Sequence, residues 1–231
     1  RQMCIRDSIY LLYKLAQTTV GVAPSAASSA IQEYQNEFQI CASQYVQAFQ
    51  TFMKNSPQGF NQQELQTLAE LQQCMNNAAG KIAKIAVQLG QNPLETLSQY
   101  IGEAILTVGA AYGISLIISK LIAFKKGAIR SGGSAANALT NAIILYDLDT
   151  GQISSSEATG VGFILNNQTF SQNYYYVTGF YNSLVLSGVI SAADAETAAT
   201  EEVSAMYSDL VQVDSELDVP PPPPPPPPPI D

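Results

Sequence analysis

Apolar residues recur at three- and four-residue steps along most of this chain, and the segments they mark end in recognisable caps. Ile31, Tyr34, Phe38, Cys41, Tyr45, Phe49 and Phe52 place one apolar stripe on a helix running from about Ser25 to Asn55. Leu65, Leu68, Leu71, Met75, Ala78, Ile82, Ile85 and Leu89 do the same for a second helix, and Pro57 and Gly59 break the chain between the two. Asn61 with Glu64 three residues on forms a capping box, and Phe60 and Leu65 take the positions of a hydrophobic staple. The pattern predicts an antiparallel helical hairpin over residues 31–90.

A third helix starts at Pro93. Gly90 suits the left-handed position that ends the second helix, and Asn92, Pro93 and Glu95 supply a cap, a proline at the first helical position and an acid in the first turn. No breaker follows until Gly127, so Glu95 to Phe124 reads as one rod of about 45 Å at 1.5 Å per residue. Residues 127–134 read as a Gly-rich linker, with Gly132, Gly133 and Ser134 as a hinge or cap before a helix over Ala135–Tyr146.

Residues 135–219 read as an acidic helical module. Two stretches, Gly151 to Ala158 and Gly188 to Ala195, share the pattern Gly-x-Ile-Ser-x-x-acid-Ala. Each has a mechanical reading: the glycine ends a helix or turn, the isoleucine docks, the serine caps the next helix and the acid completes a capping box. Thr169 with Gln172 offers a third such cap, and helices over 154–165, 170–187 and 191–213 follow. The last carries Ala199, Val203, Met206, Leu210 and Val213 on one face. Ten consecutive prolines, Pro220 to Pro229, close the chain within residues 220–231 and predict a polyproline II rod of about 31 Å at 3.1 Å per residue. The expected fold class is all-α: a helical hairpin, a long apolar central helix over 93–126, a small C-terminal helical bundle and a polyproline II tail.

At the other end, residues 1–8 resemble translated adaptor sequence and are set aside from the fold as a non-native scar. Residues 9–30 begin apolar and end in small side chains, which fits a truncated secretory signal or a short amphipathic helix; Lys14 within the apolar part favours the helix.

Charge is divided along the chain. Residues 1–130 hold ten basic and seven acidic side chains; residues 131–231 hold twelve acidic and none basic. The change follows the most apolar run, Ala104 to Phe124, whose twenty-one residues span about 31 Å as a helix. Lys125, Lys126 and Arg130 after it have the character of stop-transfer charges on the cytoplasmic flank of a single crossing. Gly109 and Gly113 form a Gly-x-x-x-Gly pair through which a second membrane helix packs closely. The competing reading makes the same segment the buried central helix of a bundle, which is also apolar on all sides and also uses glycine for close packing. Glu103 and Lys120 favour that second reading.

Cys41 and Cys74 stand level when the first two helices fold back on each other, because their mean position falls in the Pro57–Gln58 turn. They are the disulfide candidate, and the opposing reading is two small buried apolar residues in a reducing compartment. A bond between them would put the hairpin outside the cytosol. That agrees with a single-pass topology whose N-terminal part is extracytoplasmic.

Chemistry is sparse. The sequence has no histidine, no Gly-rich phosphate loop and no nucleophile elbow, so no catalytic, cofactor-binding or metal-binding residue is assigned and no cofactor is implied. Asp147 to Glu157 falls one residue short of a calcium loop, and the turn-and-cap reading accounts for it. A net charge of −9 without a basic stripe sets nucleic acid aside as a partner. Asn167 sits in a short acceptor pattern for glycosylation that recurs by chance; Tyr174, Tyr175, Tyr176, Phe180 and Tyr181 read as core packing rather than a ligand platform.

The expected partners are a polyproline-binding domain at the tail, marked by Pro220, Pro224 and Pro229, a membrane, and a second copy through the apolar helix. The leading expectation is a non-enzymatic membrane-anchored helical protein with a recruitment tail. Its alternatives are a soluble helical assembly protein, secreted or virion-like, with 104–124 in its core, and a pore-former that releases that segment into a target membrane.

Overall fold

The computed structural model describes residues 24–56, 59–114, 129–154, 157 and 170–216. Those residues form six helices and no strand: α1 (Pro24–Asn55), α2 (Gln62–Gln88), α3 (Pro93–Ala111), α4 (Gly132–Asp149), α5 (Phe170–Leu186) and α6 (Ala192–Glu216). The chain is all-α, as its periodicity predicts. Expectations about the scar, residues 9–23, Lys120, Lys125, Lys126, Asn167, Thr169 and the proline tail lie outside the described residues.

Most helix ends follow local chemistry. Asn61 accepts from the Glu64 amide at 2.9 Å while the Glu64 carboxylate takes the Asn61 amide at 2.9 Å, the reciprocal box read from the sequence. Asn92 caps α3 through the amides of Leu94 and Glu95. Gly151 and Gly188 adopt φ of 70° and 68° at the ends of α4 and α5, where a residue with a Cβ would be strained. Ser154 with Glu157 then forms the predicted reciprocal box, and Ser191 caps through the Asp194 amide while its hydroxyl donates to the Asp194 carboxylate.

α1 and α2 make the antiparallel hairpin, closed at the turn by Phe60, whose ring meets Phe49 edge-on at 5.3 Å. α3 runs parallel to α1: Gln35 of α1 donates to the Tyr100 carbonyl, and farther along the pair Tyr112 reaches the Ser43 carbonyl. α5 and α6 form a second hairpin. α4 lies at the centre and touches all five other helices. Every residue from Gly132 to Leu145 is buried.

Two expectations about the middle of the chain change. The rod expected over Glu95–Phe124 stops at Ala111, because Gly113 takes φ of 74° and the amide of Ile114 returns to the Gly109 carbonyl at 2.9 Å, a Schellman stop. Among the described residues the helix that all the others touch is α4, and residues 115–124 of the apolar run lie outside the described residues. Within that run, α3 buries Ala104, Ile105, Val108 and Gly109, while Leu106, Thr107 and Ala110 face outward. Gly132, Gly133 and Ser134 likewise form the first turn of α4 rather than a linker; the cap is Ser131. The hairpin and the acidic module share one continuous core.

Gly132 marks a close approach of α4 to α2. A Cβ there would lie 2.5 Å from the backbone nitrogen of Asn76 and 2.7 Å from the Met75 carbonyl carbon, atoms of α2 that no side-chain rotation moves aside. Gly132→Ala is expected to lower unfolding free energy in urea by about 3 kcal/mol. Gly102→Ala, in an α3 position with open space around it, raises stability by about 1 kcal/mol. Equal effects of the two substitutions would refute the wedged placement of α4.

Candidate functional site

The densest polar chemistry lies where α4 begins. Ser131 caps α4, its hydroxyl accepting from the Ser134 amide at 3.3 Å. Asn76 of α2 accepts from the Gly133 amide at 3.2 Å. From the other side, fully buried Glu202 of α6 brings its carboxylate to the same turn. Its Oε1 accepts from the amides of Arg130 and Ser131 at 3.2 and 2.9 Å, from the Ser131 hydroxyl at 2.9 Å, and from the Ser134 hydroxyl. A helix N-terminus presents unpaired amides and partial positive charge, so a carboxylate there satisfies donors and meets a favourable field.

Arg130 belongs to this cluster. Its Nε donates to Ser98 at 3.2 Å and its guanidinium pairs with Glu201 at 3.0 Å, tying α3 to α6. Its side chain is mostly covered. Tyr181 of α5 completes the group: its Oη and Glu202 Oε2 are buried without a hydrogen-bond partner. Burial, reinforced by the Glu202 charge, pushes the Tyr181 hydroxyl well above its ordinary range. An open cleft of about 460 Å³ lies beside the cluster, with Glu95, Ser98, Arg130, Asp194 and Glu201 on its walls.

A second polar contact crosses the core. Thr140 of α4 donates to the Ala136 carbonyl at 2.8 Å, which leaves its oxygen to accept from the Tyr45 hydroxyl of α1 at 2.6 Å. Burial outweighs the bonds that favour ionisation and pushes Tyr45 up to about 12.

The other sequence-derived positions fall elsewhere. Cys41 and Cys74 sit at disulfide distance, Cα atoms 6.0 Å apart, joining α1 to α2. Gly109 and Gly113 do not form one packing face: Gly109 is buried in α3, and Gly113 is exposed beyond its end. Asp147 is buried, which raises its carboxyl, and its carbonyl accepts from the amides of Gln152 and Ile153 in the turn after α4. Among the described residues no group of three or more metal-ligating side chains occurs. Phe180 and Tyr181 pack into the core edge-to-face at 5.3 Å.

Sequence reasoning missed Glu202, although a signal was present. It falls three residues after Ala199 and four before Met206, within the apolar stripe of α6, where a charge is out of place unless it has buried donors to meet. The donors themselves come from residues about seventy positions earlier, and spacing does not reveal them.

Comparison of the chain with models of known protein families, with curated proteins and with solved structures gives no match.

Two outcomes test the site. Glu202→Ala strips an acceptor from four donors, three of them buried, and is expected to cost about 3 kcal/mol in urea unfolding, with Glu202→Gln retaining part of it; an unchanged midpoint for both would refute the capping role. For Tyr45, the unfolded hydroxyl ionises near 10 and the folded one near 12, so between those values the unfolded state gives up its proton first. Stability should therefore fall by about 2–3 kcal/mol as pH rises through that window. Tyr45→Phe, compared with the parent in urea unfolding at stepped pH, should lose this part of the alkaline decline.

Proposed function

We propose that this chain is a non-enzymatic helical structural or assembly protein, secreted or virion-like, that presents a stapled helical bundle and recruits partners through its proline tail. The observation that carries the reading is the central position of α4, which packs against the α1–α2 hairpin and against α5 and α6 at once. A topology with the hairpin and the acidic module on opposite faces of a bilayer would separate those surfaces. No helix among the described residues is long and apolar enough to cross a membrane.

The non-enzymatic part of the reading draws on the kind of polarity present. Glu202 Oε1 is committed to four donors at a helix start, an arrangement that fixes helices and leaves that oxygen unsuited to proton transfer. The compartment draws on Cys41 and Cys74, which stand at bonding distance between the two helices that share the most extensive contact. Bonds of this kind persist in oxidising surroundings. The work of such a protein is positional: a fixed surface and a preordered polyproline II ligand, which loses little conformational entropy when an aromatic-lined groove takes it.

Alkaline extraction of membranes from cells expressing the chain, followed by size-exclusion chromatography, tests this reading. Release without detergent as a single folded species is the expected outcome. Retention until detergent is added would overturn it in favour of the single-pass anchor, with the run 104–124 in the bilayer.

A further inference from the structure

The two cysteines of the α1–α2 staple differ in their exposure. Cys41 lies on the buried stripe of α1 with 3% of its surface exposed. Cys74 is only partly buried and lines a cleft of about 530 Å³ formed by α1, α2 and α5. Across that cleft, Ser183 of α5 and Ser187 in the turn after it face Asn77, Lys81 and Lys84 of α2. Its volume is that of ordinary small-ligand sites. The walls carry two lysines, Lys81 and Lys84, and two glutamates, Glu37 and Glu70, so their charges cancel. Lys81 is held by Glu37 at 3.1 Å and lies over the Tyr34 ring.

Disulfide exchange depends on which sulfur a thiolate can reach. We propose that Cys74 is a thiol-exchange site, at which a small-molecule thiol enters this cleft and forms a mixed disulfide. The thiolate attacks Cys74 Sγ, a new S–S bond forms between them, and the Cys41–Cys74 bond breaks with its electron pair going to Cys41, which then takes a proton from water. A second thiol completes the reduction by attacking the mixed disulfide, giving free Cys74 and a symmetrical small-molecule disulfide. Cys41 is covered by the core and receives no direct attack. The exchange opens the staple between α1 and α2 and leaves the adduct in the cleft. Because the wall charges cancel, the site selects by size and reach rather than by the sign of the thiol's charge.

This inference rests on the bonded state of Cys41 and Cys74, so intact mass under non-reducing conditions comes first; two free thiols there would refute the staple, and the exchange site with it. The full chain carrying Cys4→Ser is then exposed to reduced glutathione, or to cysteamine, at mild excess, quenched in acid, digested and mapped by mass spectrometry. The expected result is adduct on Cys74 at least tenfold over Cys41 with both thiols, a preference that disappears when the same reaction is run in urea. Comparable adducts on both cysteines in the folded protein, adduct on Cys41 alone, or no exchange before the chain unfolds would each overturn the proposal, and a bias kept in urea would overturn its structural basis. Single variants made in the Cys4→Ser background give a second readout: in Cys41→Ser the remaining thiol should react with a maleimide in the folded state, and in Cys74→Ser it should not. Equal labelling would overturn the asymmetry, and the parent mapping decides the question should either variant fail to fold.

Discussion

The carboxylate of Glu202 at the start of α4 is the contact on which the arrangement of this bundle depends. A helix that begins inside a protein brings amides that water cannot reach, and each must find an acceptor there. Here Ser131, Asn76 and Glu202 supply acceptors from the segment before α4, from α2 and from α6. The same carboxylate takes the Arg130 amide, and the Arg130 side chain goes on to Ser98 and Glu201. One buried anion thus connects four parts of the chain whose hydrophobic contacts alone would tolerate some sliding. Gly132 allows it, since any larger residue would hold the first turn of α4 away from α2.

α4 is also unusual in what it buries. Ser134, Asn137, Thr140 and Asn141 are all inside, among Ala, Leu and Ile. Thr140 is satisfied by Ala136 and Tyr45, whereas the side-chain amide of Asn141 has neither its nitrogen nor its oxygen bonded. A buried amide without partners opposes folding by a few kcal/mol. Stability at this position must therefore come from the apolar packing around it, which α4 receives from five directions. The small side chains that dominate the helix let the other five approach closely.

The helices and their ends were largely legible in the sequence because they are set by neighbours within four residues. Asn61 and Glu64, Ser154 and Glu157, and Ser191 and Asp194 find each other whatever the rest of the chain does. The level placement of Cys41 and Cys74 was legible too, since a hairpin's geometry follows from the position of its turn. The end of α3 differs from the sequence pattern for a local reason: Gly113 fits a helix-packing spacing, yet with φ of 74° it is a stop like Gly90 at 69°. A glycine in an apolar stretch fits both roles, and the composition around it does not choose between them.

Sequence by itself determined the all-α class, most of the helix boundaries, the hairpin and the repeated stop-and-cap units, because these rest on periodicity and on hydrogen bonds between near neighbours. Tertiary structure decided which helix lies at the centre, where Glu202 goes and what Arg130 does. Hydrophobicity singles out 104–124, yet among the described residues the helix enclosed by all the others is α4, rich in small and polar side chains. How completely a helix is buried depends on how many others can reach it, and how a buried charge is tolerated depends on donors brought from distant parts of the chain. Both are properties of the packed arrangement, absent from any window of the sequence.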